Sequence, residues 1–130
     1  MTMTVFDDQK KFMIACGQTQ LTPNADQAGM YLTLIDEERA ELREAITQQD
    51  IVEVADAVID ILVVTIGLGQ SFALPMQDLW NEVMRSNFAK INADGTVTRR
   101  EDGKILKPEG WTPPDLRNVL LKYNHPLLKD

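Results

Sequence analysis

Apolar residues recur at spacings of three and four through about residue 92, the pattern of helices that bury one face. Phe6, Phe12, Met13 and Ile14 predict a short helix from Phe6 to Gly17, with Gly17 as its stop. Gln18 to Asp26 contains Thr22-Pro23-Asn24 and reads as a loop. Met30, Leu34, Ile35, Leu42 and Ile46 predict a long helix from about Asp26 to Gln48. Asp50 with Glu53 three residues on resembles a capping box and opens a third helix, Ile51 to Leu68, which Gly67 and Gly69 are expected to end. Pro75 suits the first turn of a fourth helix running to about Ile91, with Met76, Leu79, Trp80, Val83, Met84 and Phe88 on its core face.

The character changes after Asn92. Thr96-Val97-Thr98-Arg99 and Lys104-Ile105-Leu106-Lys107 flank the turn signal Glu101-Asp102-Gly103 and predict a small β-hairpin. Gly110 to Pro114 reads as a loop, and Asp115 to Tyr123 as a last short helix or an arm. The pattern therefore predicts an all-α fold, a bundle of four to five helices with a small C-terminal hairpin and tail. The 130 residues form one domain, its helical core about 5–92 and its hairpin and arm about 93–130.

Net charge is −7, which disfavours binding to a nucleic-acid polymer. The single cysteine, Cys16, excludes an intramolecular disulfide and is expected to be a small buried or half-buried residue of the first helix. The stretch Val54 to Leu68 is interrupted by Asp56 and Asp60 and is too short and too charged to span a bilayer. With no secretory signal pattern at the N-terminus, a cytoplasmic location is the expectation.

Two acidic clusters stand out, Glu37-Glu38-Arg39-Ala40-Glu41 and Glu53-Val54-Ala55-Asp56 followed by Asp60. At about 100° per residue, Glu38 and Glu41 lie within roughly 60° on one helix, and Glu53, Asp56 and Asp60 share a similar arc on the next. A short connection makes these helices antiparallel neighbours, which brings the two sets within reach of each other. The third helix is apolar nearly all round and is expected to be buried, its acids partly inside. Desolvated carboxylates must be protonated, paired or metal-bound. Between Ala25 and Val83 the only basic residues are Arg39 and Arg43. A divalent cation can do what two arginines cannot. All donors are hard oxygens and the sole histidine, His125, lies in the tail, so Mg²⁺ fits, with Mn²⁺ able to replace it and zinc disfavoured. A di-iron carboxylate bundle would need Glu-x-x-His, which is absent. The competing structural readings are a solvated acidic face for the first cluster, and buried pairing or a dimer seam for the second.

Glu37-Glu38-x-x-Glu41 followed after 11 residues by Glu53-x-x-Asp56 resembles the signature of the MazG-like all-α NTP pyrophosphohydrolases, a superfamily that includes phosphoribosyl-ATP pyrophosphohydrolase. Leu34-Ile35 before it, and Ala55-Asp56-Ala57-x-x-Asp60-Ile61-Leu62 within it, match the same surroundings. So do Arg85-Ser86-Asn87-Phe88-x-Lys90, Asp102-Gly103-Lys104-Ile105-Leu106-Lys107 and Gly110-Trp111-x-Pro113-Pro114-Asp115, and the resemblance spans about residues 5–116.

The resemblance implies Mg²⁺ ligation by Glu38, Glu41, Glu53 and Asp56, with Asp60 supporting the site or adding a metal contact and Glu37 acting beside it. It implies that Asn87 and Lys90 reach substrate phosphates. It also implies a homodimer or a dimer-of-dimers tetramer. Lys104 and Lys107, with Arg99 and Arg100, are further candidates to bind phosphate, because this basic group follows an acidic half; the plainer reading is a solvated hairpin. Trp80, Trp111 and Tyr123 could stack on a base, although packing explains each as well. The expected reaction is Mg²⁺-dependent cleavage of a nucleoside triphosphate to monophosphate and pyrophosphate, in the manner of nucleotide-pool housecleaning. Phosphoribosyl-ATP hydrolysis and a non-catalytic helical dimer are the alternatives.

Overall fold

A computed structural model describes residues 2–130. It is all-helical, with five helices and no named strand among the described residues: α1 (Val5–Ala15), α2 (Ala25–Thr47), α3 (Ile51–Ser71), α4 (Met76–Phe88) and α5 (Leu116–Lys122). The chain divides into two compact units, the first ending at Met76 and the second being Gln77–Asp130. None of the described helices is long and apolar enough to cross a membrane.

Side-chain caps set the helix starts of the first unit. Thr4 Oγ1 accepts from Asp7 N–H at 3.2 Å while the Asp7 carboxylate accepts from Thr4 N–H at 2.9 Å, a full capping box for α1. Asn24 Oδ1 accepts from Gln27 N–H at 3.0 Å and starts α2. Asp50 Oδ1 accepts from Glu53 N–H at 3.2 Å and starts α3 where the sequence predicts. Gly17, at φ 74°, ends α1 in the left-handed region. Cys16 caps that helix end and is exposed, not buried as its residue type suggests.

Helices α2 and α3 pack along each other as an antiparallel pair, and α1 packs on α3. The pair is closed at both ends. At one end, residues 48–50 reverse the chain, with Gln49 at φ 55°. At the other, Asn24 N–H donates to Ser71 O at 2.7 Å. Gln27 secures this second end: its Nε2 donates to Ser71 Oγ and to Thr19 O, each at 2.8 Å, and its Oε1 accepts from Thr19 N–H at 2.9 Å. Between the ends, Met13, Tyr31 and Val64 form the buried centre, with Leu34, Ile35 and Leu68 packed against it.

Gly67 and Gly69 do not end α3. The helix continues to Ser71, and the left-handed residue beyond it is Ala73, at φ 55°. The glycines answer a packing need instead. A Cβ on Gly67 would overlap the Tyr31 ring, and one on Gly69 would overlap the Met76 thioether. Helix α3 is also less covered than its composition suggests. Ile51 and Val52 are 76% and 71% exposed, and Val58, Ile59 and Leu62 are exposed as well, because α1 and α2 cover only part of its circumference.

In the second unit the C-terminal segment is fastened to one face of α4. Tyr123 Oη donates to Asp78, Glu82 Oε2 accepts from Asp115 N–H at 3.2 Å, Arg85 Nη2 donates to Pro113 O at 3.2 Å, and Trp111 Nε1 donates to Ser86 O at 2.7 Å. The four α4 positions follow i, i+4, i+7, i+8.

The predicted β-hairpin is not formed. Two isolated antiparallel bridges take its place, Ile91 to Val97 and Arg99 to Ile105. The first segment splits its pairing: Val97 bridges back to Ile91, while around Arg99 the second segment is bonded, Leu106 N–H to Thr98 O and Arg100 N–H to Lys104 O, each at 2.7 Å. The Asn92 side-chain amide donates to the Thr96 and Thr98 hydroxyls at 3.3 and 3.2 Å, and Asn92 N–H donates to Thr96 O at 2.7 Å, so the start of the first segment is tied to the residues just after α4. The turn itself exists, with Gly103 N–H donating to Arg100 O at 2.8 Å and Gly103 at φ 90°.

Two glycine substitutions should move stability in opposite directions. Gly67→Ala gains about 1 kcal/mol of helix propensity, but overpacking against a buried ring costs about 1–3 kcal/mol, so the variant should be less stable. Gly29→Ala meets nothing within 4 Å in the interior of α2 and should gain about 0.5–1 kcal/mol. Urea denaturation of the two variants beside the parent measures both signs; a stabilised Gly67→Ala would refute the close ring packing.

Candidate active site

The acids lie on facing parts of the α2–α3 pair. Glu37, Glu38 and Glu41 stand in the second half of α2, and Glu53, Asp56 and Asp60 in the first half of α3. Antiparallel packing puts these halves side by side. Glu38 and Asp60 are half-buried, whereas Glu37, Glu41, Glu53 and Asp56 are exposed.

Electrostatics shows which of them meet. Burial pushes the Glu38 carboxyl above the usual carboxylate range, and the neighbouring charges of Glu41, Asp60 and Asp56 push it further. The Asp60 carboxyl is raised in the same way, first by burial, then by Asp56 and Glu41. Four acids, two from each helix, therefore share one field. Glu37 and Glu53 do not figure among the causes of either shift. The sequence pattern places Glu53 with Asp56 and Asp60 on one arc, yet the structure leaves it at the exposed start of α3, where its N–H is engaged by Asp50.

No basic side chain among the described residues forms an ion pair with these acids. Among the described residues the ion pairs are Arg85–Glu82 and Arg100–Asp102, both in the second unit. Arg39 and Arg43 instead line a shallow cavity of about 330 Å³ with Leu42, Ile46 and Thr47. Glu38 Oε2 is buried and has no hydrogen-bond partner. A buried carboxylate oxygen without a donor is unfavourable, and a cation is the simplest group that would satisfy it.

Oxygen donors alone, a shared negative field and one orphaned oxygen suit a hard divalent cation. Among the described residues no three His, Cys, Asp or Glu side chains stand together in a way that could hold a metal ion.

The second unit holds the other predicted residues. Lys90 Nζ donates to Asn87 Oδ1 at 3.2 Å, and lies 5.6 Å from the centre of the Trp111 ring. Lys107 Nζ lies 4.6 Å from the same ring centre. Lys104 is in the Asp102-Gly103 turn, its backbone N–H bonded to Asp102 Oδ1 at 3.1 Å. The sequence reading missed the role of Trp111, which gathers two lysines; a tryptophan shortly after a basic run was the only available signal.

Comparison with curated proteins gave no match. The family described as Phosphoribosyl-ATP pyrophosphohydrolase (PRA-PH) matches residues 14–87, more than half the chain and the whole of the α2–α3 pair with its acids. On that match, and on an all-helical fold that carries the paired acids on adjacent helices, the chain belongs to the PRA-PH family of the MazG-like all-α NTP pyrophosphohydrolase superfamily and is a hydrolase of phosphoanhydride bonds.

Proposed function

We propose that the chain is a Mg²⁺-dependent nucleoside triphosphate pyrophosphohydrolase, releasing a nucleoside monophosphate and pyrophosphate. The observation that carries this reading is the acid group with no cationic partner: Glu41 and Asp56, with Glu38 and Asp60, crowd negative charge round the half-buried Glu38 and Asp60, and among the described residues no ion pair relieves it.

Glu38, Glu41, Asp56 and Asp60 would hold Mg²⁺, or Mn²⁺ in its place, with Glu53 one turn before Asp56 joining them. Bound there, the ion supplies charge neutralisation for the phosphates and lowers the pKa of a water. The chain's own contribution is to orient and to move protons. Glu37, next to Glu38 in sequence, would be the candidate to accept a proton from an attacking water. Asn87, Lys90, Lys104 and Lys107 supply donors for phosphate oxygens. The half-buried setting of Glu38 and Asp60 strengthens every charge interaction at that point.

Phosphoribosyl-ATP is the second candidate substrate, and the description of the matched family favours it. The metal chemistry is the same for both, and both release pyrophosphate. Family membership favours an enzyme over a non-catalytic helical dimer.

A homodimer is part of the proposal. Ile51, Ala55, Val58 and Leu62 follow spacings of four and three along α3 and are all exposed. They lie about 150° round the helix from Ala57 and Val64, which pack inward. A second copy of the chain would cover this stripe and supply the burial that α3's composition asks for.

Two outcomes test the proposal. In metal-free buffer near neutral pH, Glu38→Gln should raise the thermal midpoint, because a neutral isostere ends the repulsion by Glu41, Asp56 and Asp60. With Mg²⁺ at about a hundred times its Kd the parent should gain about 2.7 kcal/mol, and Glu38→Gln should gain little of it. A parent indifferent to Mg²⁺ and Mn²⁺ would remove the metal from the account. Glu41→Gln should keep its fold and lose about 10²-fold or more in turnover, measured as pyrophosphate release from a panel of nucleoside and deoxynucleoside triphosphates and phosphoribosyl-ATP. Full activity in that variant would sink the site assignment, and cleavage of phosphoribosyl-ATP alone would decide for the second substrate.

A further inference from the structure

Helix α2 carries the only basic residues of the α2–α3 pair, Arg39 and Arg43, and it carries them side by side. They stand at i and i+4, about 6 Å apart along the helix axis. Like charges at that spacing repel and weaken a helix. Nothing on the helix offsets the repulsion. The positions three and four residues from Arg43 are Arg39, Ala40, Ile46 and Thr47, none of them acidic. Asp36 stands three residues before Arg39, yet neither guanidinium has an ion pair or a hydrogen bond among the described residues.

The two arginines frame an apolar floor. Leu42 and Ile46 interleave with them, so that Arg39, Leu42, Arg43 and Ile46 follow i, i+3, i+4, i+7 on one face. Leu42 is half-buried and Ile46 is 59% exposed. The Thr47 hydroxyl is spent on Arg43 O at 3.0 Å. These five residues line the cavity of about 330 Å³, and none of the clustered carboxylates borders it. The face lies about 120° round α2 from the midpoint of Glu38 and Glu41.

Charge and volume select the ligand. Two guanidinium forks offer paired N–H donors to an oxyanion and carry two positive charges. A carboxylate would neutralise half of that charge, whereas a phosphate monoester near neutral pH nearly balances it. Leu42 and Ile46 contribute nothing to an inorganic ion but would cover an apolar group attached to it. The cavity is at the low end of the range of about 300–1,000 Å³ for ligand sites, so the ligand is small. An extended acidic polypeptide fits worse, because it would run over a unit with 12 acidic and 4 basic residues.

We propose that Arg39, Leu42, Arg43 and Ile46 form a binding site for a small organic phosphate monoester, its head group held by the guanidiniums and its apolar body on the aliphatic pair. The site stands apart from the acid group, and the inference goes beyond the pyrophosphohydrolase reading without resting on it.

The test is isothermal titration of the full chain in EDTA at about pH 8, above the second phosphate pKa of about 6. The probes are phenyl phosphate, inorganic phosphate and benzoate. Phenyl phosphate should bind saturably and about tenfold tighter than inorganic phosphate, which lacks the apolar body, or benzoate, which lacks the second charge. Arg39→Gln and Arg43→Gln, both exposed changes, should each weaken it about tenfold. Their thermal midpoints should stay level or rise, since the repulsion between the arginines is gone. Ile46→Thr should bring phenyl phosphate down toward inorganic phosphate, and a Lys90→Gln, Lys107→Gln double variant should bind as the parent does. A nucleoside monophosphate that binds as tightly as phenyl phosphate assigns the site to nucleotides, and weaker binding assigns it to another phosphate ester; either result keeps the site. Absence of saturable binding, equal affinities for the three probes, or parent-like binding by Arg43→Gln overturns it. So does a change of oligomeric state in Arg43→Gln by sedimentation velocity, which would make the arginines a contact between copies. With no metal present, none of these outcomes bears on the acid group's activity with Mg²⁺.

Discussion

Repulsion between carboxylates across the α2–α3 seam is the interaction on which the rest of the molecule turns. Glu38 and Glu41 come from one helix, Asp56 and Asp60 from the other, and each pair raises the proton affinity of a half-buried member of the other. Such an arrangement opposes folding unless the helices are held together by something else. The something else is placed away from the acids. Asp50 and the tight reversal fix one end, while Gln27, Ser71 and Asn24 lock the other. Met13, Tyr31 and Val64 fill the centre with apolar volume. The acids are thus kept close by a scaffold that does not involve them, as a preorganised charge site requires.

The same seam explains the glycines of α3. Tyr31 is 4% exposed and its ring lies against Gly67, so the two helices approach closely in the half of the pair away from the acidic clusters. Close approach there favours the contact that offsets repulsion at the other half. The hydroxyl of Tyr31 donates to Gln18, and burial raises its pKa, so the ring stays neutral within this apolar region across the physiological range.

What the sequence made legible follows from how local each signal is. Asp50 with Glu53 at its third position declared a helix start, and the caps confirm it, because capping is settled within four residues. Paired acids at spacings of three and four declared a shared face, for the same reason. Asn24 was hidden: it caps α2 from inside a Thr-Pro-Asn run that reads equally well as loop. Gly67 and Gly69 misled because a helix stop and a close contact call for the same residue, and only the position of Tyr31 tells them apart. The hairpin failed because turn chemistry predicts a reversal but not the length of the ladder, and the start of the first segment pairs with Ile91 and Asn92 instead of with the second segment. Cys16 shows the limit of residue-type averages, since a helix-capping position overrode its tendency to be buried. Which acids of α2 act on which acids of α3 was beyond the sequence, since helix geometry groups residues on one helix and says nothing of how two helices pack.

Charge is distributed between the two units in a way that neutral pairing does not explain. Up to Met76 the chain has 12 acidic and 4 basic residues; from Gln77 onward it has 8 and 9. A protein selected only for stability would match these charges within each unit. Here the first unit leaves Glu38 Oε2 buried without a donor, and the second gives Lys90 and Lys107 an aromatic ring where a carboxylate would neutralise them. In both places charge is held in position but not consumed. Leaving Glu38 unpaired opposes folding, whereas the lysines forgo at most the small stabilisation of a surface ion pair. Phosphate oxygens and a divalent cation are the two kinds of partner that these unspent charges call for, each considered within its own unit.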